Sequence, residues 1–146
     1  MALLTGICPS QTLEVVAVRV GIDIVSVETV QESIRVHADR YLRRVFTERE
    51  VADCRTGDGG VEAGRLAARF AAKEAALKVL RPGDEGLPLT SIEVVSDPGG
   101  WVDLALSGPA ASIAQDTGVH GFSVSLTHEG AFAAAVVAAE CGEDGR

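Results

Sequence analysis

Long apolar runs, paired cysteines and prolines are scarce in this 146-residue chain. No stretch approaches the roughly eighteen apolar residues that a membrane-spanning helix needs, so we expect no transmembrane segment. The three cysteines, Cys8, Cys54 and Cys141, are far apart and match neither disulfide nor metal-ligand spacing, which favours a reducing, cytoplasmic setting. Five prolines beside 47% hydrophobic residues argue against a disordered or fibrous protein and indicate one compact domain with a sizeable core.

Basic residues are nearly absent from the second half of the chain. Residues 82–146 contain one Arg against 10 acidic residues, whereas residues 1–81 contain 12 Lys and Arg against 11 acidic residues. Within an overall net charge of −8, five arginines crowd together at positions 35, 40, 43, 44 and 49. A basic patch on an acidic protein predicts a discrete anionic partner. The shortage of aromatic residues around the patch argues against nucleic acid.

The order of periodic segments predicts an α+β domain, an antiparallel sheet packed with a long central helix. β-branched or alternating segments predict strands at 15–27, 92–96, 101–106, 122–128 and 131–139. Four-residue apolar spacing and capping signals predict helices at 28–45, 47–55, 61–80 and 109–117. We expect residues 1–15 to form an N-terminal extension, residues 16–140 the domain, and residues 141–146 a frayed tail.

The central helix has charged residues on two of its faces. Glu74 falls on the apolar stripe that should face the core, where a carboxylate needs a partner such as a cation. Arg65, Arg69 and Lys73 follow one another at i+4 spacing and together suit an anion, and Lys78 comes one turn after Glu74. The alternative is a surface helix with solvated cations and a local pair between Glu74 and Lys78.

Two further polar residues stand out among strand residues. Asp23 interrupts the apolar run from Val15 to Val27, and Gly21 before it would let a ligand or another backbone approach closely. Such an Asp is commonly a cap, but apolar residues on both sides favour a functional acid. His128 ends an alternating strand, and a single histidine there is more often structural than catalytic.

Three segments in this order resemble one family, the small phosphopantetheinyl transferases of the holo-acyl-carrier-protein synthase type. The segments are Val20-Gly-Ile-Asp-Ile-Val25, Arg69-Phe-Ala-Ala-Lys-Glu-Ala75 with Lys78, and Ser123-Val-Ser-Leu-Thr-His128. The resemblance implies transfer of the phosphopantetheine arm from coenzyme A to a serine of an acidic acyl carrier protein, with release of 3′,5′-ADP. It also implies a homotrimer that places coenzyme A between protomers.

The resemblance assigns roles to residues of this chain. It implies Mg²⁺ held by Asp23 and Glu74, and a catalytic set completed by Lys78 and His128. Coenzyme A would be bound by Arg69, Lys73, Lys78 and His128. The general base stays open between a metal-bound water, Glu74 and His128.

The carrier protein is expected to dock on the basic cluster of the 28–45 helix. Its docking residues would be Arg35, Arg40, Arg43 and Arg44. Where the family usually has an arginine facing the carrier protein, this chain has Thr29, which implies altered docking. The loop after Leu80, Arg81-Pro-Gly-Asp-Glu-Gly86, also differs from the Gly-Thr-Gly-like loop that is usual in the family. The changed docking and loop residues motivate a second hypothesis, a non-catalytic relative that binds a carrier protein or a coenzyme A thioester without transfer.

Overall fold

The computed structural model describes residues 16–142, so the predicted N-terminal extension and residues 143–146 lie outside the described part. No helix within residues 16–142 is long and apolar enough to cross a membrane. The strands are β1 (Ala17–Ser26), β2 (Ile92–Ser96), β3 (Val102–Leu106), β4 (Val119–Glu129) and β5 (Phe132–Cys141). The helices are α1 (Val27–Val45), α2 (Glu48–Asp53), α3 (Ala63–Leu80) and α4 (Gly108–Asp116), with a 3-10 turn at Leu89–Ser91. The predicted α+β class and every predicted element are therefore confirmed.

The main sheet has the strand order β1-β5-β4, and both pairings are antiparallel. A separate β2-β3 hairpin lies beside it. The long helix α3 covers one face of the main sheet, because its buried alanines let it lie close to the strands. Positions Gly21, Asp23 and Val25 of β1 lie on this covered face, since successive strand residues alternate between faces.

Gly21 is the point of closest approach between β1 and α3. A Cβ atom added there would collide with the backbone carbonyl oxygen of Ala75, and it would lie 3.2 Å from the Cβ atom of Lys78. The expectation that another backbone approaches Gly21 is therefore confirmed. The contact fixes the depth at which the carboxyl-terminal half of α3 sits on β1.

The helix α1 is broken once, and the helix α2 begins as predicted. Ala38 has φ 43° and ψ −127°, a positive-φ conformation that L-residues rarely adopt and that interrupts α1 between its acidic first turns and its basic last turn. At α2, the hydroxyl of Thr47 accepts from the Glu50 amide, and the Glu50 carboxylate accepts from the Thr47 amide. This reciprocal pair is the capping box that the sequence predicts.

Two details differ from the expectations. The apolar run of β1 is not buried on both faces: Val18, Val20, Ile22 and Ile24 are 60–67% exposed, because no element within residues 16–142 covers the second face of the sheet. The tail was expected to begin at Cys141, yet β5 runs through Cys141. That residue is buried and pairs with Ala17 and Val119.

Candidate active site

Three of the residues assigned to catalysis meet at the β1 edge of the sheet. The Lys78 ammonium lies 3.1 Å from Oδ1 of Asp23 and donates to the Ile22 carbonyl oxygen at 2.5 Å. Glu74, one turn earlier on α3, lies close enough to Asp23 for the two carboxylates to repel each other. Asp23 and Glu74 are partly buried, while Lys78 is half exposed. Two acids that are remote in sequence therefore face one space beside a cation.

The electrostatic environment of Glu74 differs from that of an ordinary surface carboxylate. Burial raises the pKa of Glu74, the neighbouring Asp23 carboxylate raises it further, and the Lys78 ammonium opposes both. Lys78 contacts Asp23 rather than forming the local i,i+4 pair with Glu74 that the alternative reading assumed. This leaves Glu74 with excess negative potential nearby, a state that a bound cation would relieve.

The donor set of this acidic pair fits a hard divalent cation. Carboxylate oxygens are the ligands that Mg²⁺ prefers, and Mg²⁺ usually takes only one or two from the protein. Among residues 16–142, no group of three or more His, Cys, Asp or Glu is arranged to hold a metal ion. A metal held by Asp23 and Glu74 would take its remaining ligands from water or substrate oxygens.

His128 lies on the opposite edge strand, away from the acidic pair. It is opposite Ala133 of β5, which is opposite Val25 of β1, so two inter-strand spacings, about 10 Å, separate it from β1. Its Nε2 atom lies 3.5 Å from Oε1 of Glu62, the N-cap residue of α3. Within one chain the structure does not bring His128 together with Asp23 and Glu74.

The predicted contact between Lys73 and coenzyme A finds no support in the position of this side chain. Its side chain is 0% exposed, and its ammonium lies 2.7 Å from Oε2 of Glu50 and 5.7 Å from the centre of the Phe46 ring. The same ammonium donates to the carbonyl oxygens of Leu89 and Ile92 at 2.9 and 2.6 Å. Burial lowers the pKa of Lys73 and the Glu50 carboxylate opposes that shift. With these partners, Lys73 has no donor left for a phosphate.

Glu50 is the residue at this buried centre that the sequence analysis did not single out. Its Oε1 atom accepts from the Val94 amide at 2.8 Å, while Oε2 accepts from the Thr47 amide and contacts Lys73. The capping-box pattern explained Glu50 as a local cap, so nothing in the sequence pointed to a second partner. The pair connects α2, α3 and the start of β2.

Arg69 is also buried, at 3% exposure, and faces α2 and β2 rather than β1. Its guanidinium donates to Ser96 Oγ at 2.9 Å and lies 3.9 Å from Oδ2 of Asp53. The predicted contact between Arg69 and a nucleotide has no support in this position, because the side chain serves the packing of α3. Of the i+4 ridge that predicts an anion site, Arg69 and Lys73 therefore lie on the buried side of α3.

The arginines predicted to dock a partner are all exposed on α1. Arg35 is held by Glu32 through hydrogen bonds of 2.8 and 2.6 Å, and Arg43 lies 3.6 Å from Asp39. Arg40 and Arg44 form no ion pair within residues 16–142. Both lie beyond the break at Ala38, so the available positive charge is concentrated in the last turns of α1.

Comparison with known proteins identifies the class to which this fold and site belong. The family model described as the 4′-phosphopantetheinyl transferase superfamily matches residues 19–137. Because the match covers most of the chain, the protein belongs to the 4′-phosphopantetheinyl transferase superfamily.

Its similar relatives within that superfamily are holo-[acyl-carrier-protein] synthases. The Koribacter versatilis enzyme of that name is 40% identical over 121 residues, covering 82% of this chain and 95% of the relative. The Moorella thermoacetica enzyme is 42% identical over 122 residues, covering 82% and 91% of the two chains. The expected resemblance to a transferase of the holo-acyl-carrier-protein synthase type is confirmed.

Solved structures agree with this assignment. An acyl-carrier-protein synthase in complex with coenzyme A, from Chronobacterium ammoniagenes, superimposes with a TM-score of 0.75 at 25% identity, covering 87% of this chain and 99% of that chain. The Helicobacter pylori holo-[acyl-carrier-protein] synthase in complex with coenzyme A gives a TM-score of 0.71 at 27% identity, covering 83% and 99%. Both matched proteins bind coenzyme A in their crystals.

Proposed function

We propose that this chain transfers the 4′-phosphopantetheine arm from coenzyme A to a serine hydroxyl of an apo acyl carrier protein, with release of 3′,5′-ADP. The observation that carries the proposal is the meeting of Asp23, Glu74 and Lys78 at the β1 edge. Membership of the superfamily and the coenzyme A complexes of similar proteins supply the reaction type. The three cysteines match no disulfide spacing, and this supports a cytoplasmic location.

We propose that Asp23 and Glu74 hold Mg²⁺. When bound, this ion would neutralise the diphosphate of coenzyme A and so lower the barrier to breaking its phosphorus–oxygen bond. The support is the raised pKa of Glu74, which comes first from burial and then from repulsion by the Asp23 carboxylate, and a divalent cation would relieve that repulsion. The small number of protein ligands matches the habit of Mg²⁺ in phosphate sites.

Lys78 neutralises and orients the phosphate groups. Its ammonium is half exposed, with donors directed at Asp23 and at a strand carbonyl, and both contacts can be exchanged for a phosphate oxygen. The proton of the carrier serine needs an acceptor within hydrogen-bond reach. Glu74 and His128 are the side chains of this set that can take it.

We propose a homotrimer in which each site lies between two protomers. The uncovered face of the main sheet carries a row of exposed aliphatic side chains from β1, joined by Val136 of β5. A contiguous apolar face of this kind is typical of an interface. The distance between His128 and the acidic pair of the same chain supports the arrangement, since a neighbouring protomer can supply the histidine.

The carrier protein docks on the last turns of α1. Arg40 and Arg44, which form no ion pair with any residue between 16 and 142, offer positive charge to an acidic partner. Arg35 and Arg43 can exchange their exposed acidic partners for those of the carrier. Charges of this kind mainly accelerate association and align the partner. The threonine at position 29 leaves the first turns of α1 without a cation.

Mass spectrometry of carrier proteins tests the proposed function. The protein is incubated with coenzyme A, Mg²⁺ and a panel of apo carriers, and each carrier is weighed for an added phosphopantetheine arm. Glu74→Gln should abolish the mass gain and leave the trimer intact, whereas Asp103→Asn, at an exposed acid on β3, should have no effect. A carrier panel that never gains mass would support the non-catalytic binding relative instead.

Metal binding has its own readout. Mg²⁺ at about one hundred times its dissociation constant should stabilise the fold by about 2.7 kcal/mol, because it binds only the folded state. The stabilisation should disappear in Asp23→Asn. An unchanged melting temperature of the wild-type protein in excess Mg²⁺ would contradict the assignment of the acidic pair.

A further inference from the structure

The first turn of α3 makes two independent contacts with His128. The carboxylate of Glu62 lies 3.5 Å from Nε2 of the imidazole, and a Cβ atom added at Gly64 would lie 2.8 Å from the ring Cδ2 atom and 3.3 Å from Nε2. The imidazole therefore lies against bare backbone at Gly64 with its Nε2 edge turned towards a carboxylate. Neither contact belongs to the metal pair at the other edge of the sheet.

Glu62 is an unusual N-cap residue. Ser, Thr, Asp and Asn are the residues that usually cap a helix, and the Glu62 side chain makes no capping hydrogen bond to α3. Its carboxylate is thus available to the histidine.

We infer that Glu62 and Gly64 are positioning residues that fix the orientation of the His128 imidazole for the transfer reaction. This inference rests on the proposed function, in which His128 faces the coenzyme A site of a neighbouring protomer. With Nε2 directed at Glu62, Nδ1 is the ring nitrogen left to hydrogen-bond the substrate. Because α3 also carries Glu74, one helix sets both the metal ligand of its own site and the histidine that completes the next one.

A double-mutant cycle tests whether Glu62 acts through His128. Glu62→Ala should lower kcat about fivefold, the scale of an exposed charged contact, with the KM for the carrier unchanged. In a His128→Ala background the same substitution should have no further effect, and Gly64→Ala should behave in the same way. Glu62→Gln keeps an oxygen that can accept from Nε2–H, so it should restore most of the loss.

The control removes an exposed carboxylate elsewhere in the fold. Asp103 of β3 is exposed, and Asp103→Asn should leave kcat unchanged. An effect of Glu62→Ala that persists without His128, or wild-type activity in His128→Ala, would overturn the inference while leaving the transferase proposal standing.

A nuclear Overhauser effect between His128 Hδ2 and the Gly64 Hα protons provides a readout that needs no activity. We expect it in the wild-type protein and expect its loss in Gly64→Ala, with weakening in Glu62→Ala. Its absence from the wild-type protein would overturn the inference. An inactive wild-type protein that still shows this nuclear Overhauser effect would instead contradict the proposed function, while the position of the His128 ring against Gly64 would stand.

Discussion

Lys73→Met separates the two roles that sequence and structure give to this lysine. In the structure, the substitution removes a fully buried ammonium and leaves the Glu50 carboxylate buried without its cation. It also leaves the carbonyl oxygens of Leu89 and Ile92 without their donor. Breaking a buried ion pair from one side typically costs about 3–5 kcal/mol. For a domain whose total stability is about 5–15 kcal/mol, this is a large fraction.

The assay is urea and thermal unfolding followed by far-ultraviolet circular dichroism. The single tryptophan, Trp101, is 78% exposed at the hairpin turn, which makes its fluorescence a weak reporter of the core. A loss of about 4 kcal/mol should lower the melting temperature by about 10 °C. Methionine keeps much of the volume of the lysine stem, so the loss should come mainly from the broken charge contacts.

Two further variants complete the test of Lys73. Glu50→Gln combined with Lys73→Met should recover part of the stability, because no uncompensated charge stays buried. Lys78→Met is the matched control, since its half-exposed ammonium should be needed for transfer but hardly for folding. If Lys73→Met kept wild-type stability and instead raised the KM for coenzyme A, the argument from the buried pair would be refuted.

Three other predictions follow from the apolar sheet face, the raised pKa of Glu74 and the basic end of α1. Ile22→Asp should convert the trimer into monomers in light scattering and abolish transfer, because it places a charge on the exposed apolar row. Without divalent cations, the free energy of unfolding of the wild-type protein should fall as pH rises from the normal pKa of a Glu through the raised pKa of Glu74. The reason is that the folded state binds more protons than the unfolded state in this pH range. Glu74→Gln should lack this loss in urea titrations at pH 4 and pH 7. Arg40→Glu with Arg44→Glu should raise the KM for an acidic carrier about tenfold and reduce its salt dependence, while the KM for coenzyme A stays unchanged. The respective arguments would be contradicted by a stable trimer in Ile22→Asp, by the same pH dependence of stability in Glu74→Gln as in the wild-type protein, or by an unchanged carrier KM in the double arginine variant.

Features of the fold that are local in sequence could be predicted from the chain alone. The Thr47–Glu50 box and the apolar stripe of α3 each involve residues within a few turns, so their pattern determines the element. Gly21 was also predictable in kind, because an isolated glycine in a strand commonly marks a close approach. The exposure of one face of β1 could not be predicted, because a β-branched run has the same sequence pattern whether one face or both faces are buried.

Contacts between distant segments needed more than the pattern. The meeting of Asp23 and Glu74 was expected only through the family resemblance, and the structure brings them together. The burial of Lys73 could not be predicted from the sequence, because its i+4 spacing from Arg69 resembles an exposed ridge, and only Glu50, 23 positions earlier, reveals its partner. The same holds for Arg69, since Ser96 and Asp53 belong to other elements.

The absence of a side chain at position 21 limits how far apart the carboxylates of Asp23 and Glu74 can lie. With strand and helix backbones in direct contact there, the gap between the two carboxylates cannot be widened by small steps. Even a methyl group would push the two backbones apart and carry one carboxylate away from the other. The proposed metal-binding centre therefore keeps one size, and adaptation to a bulkier donor molecule would occur at the rim of the site.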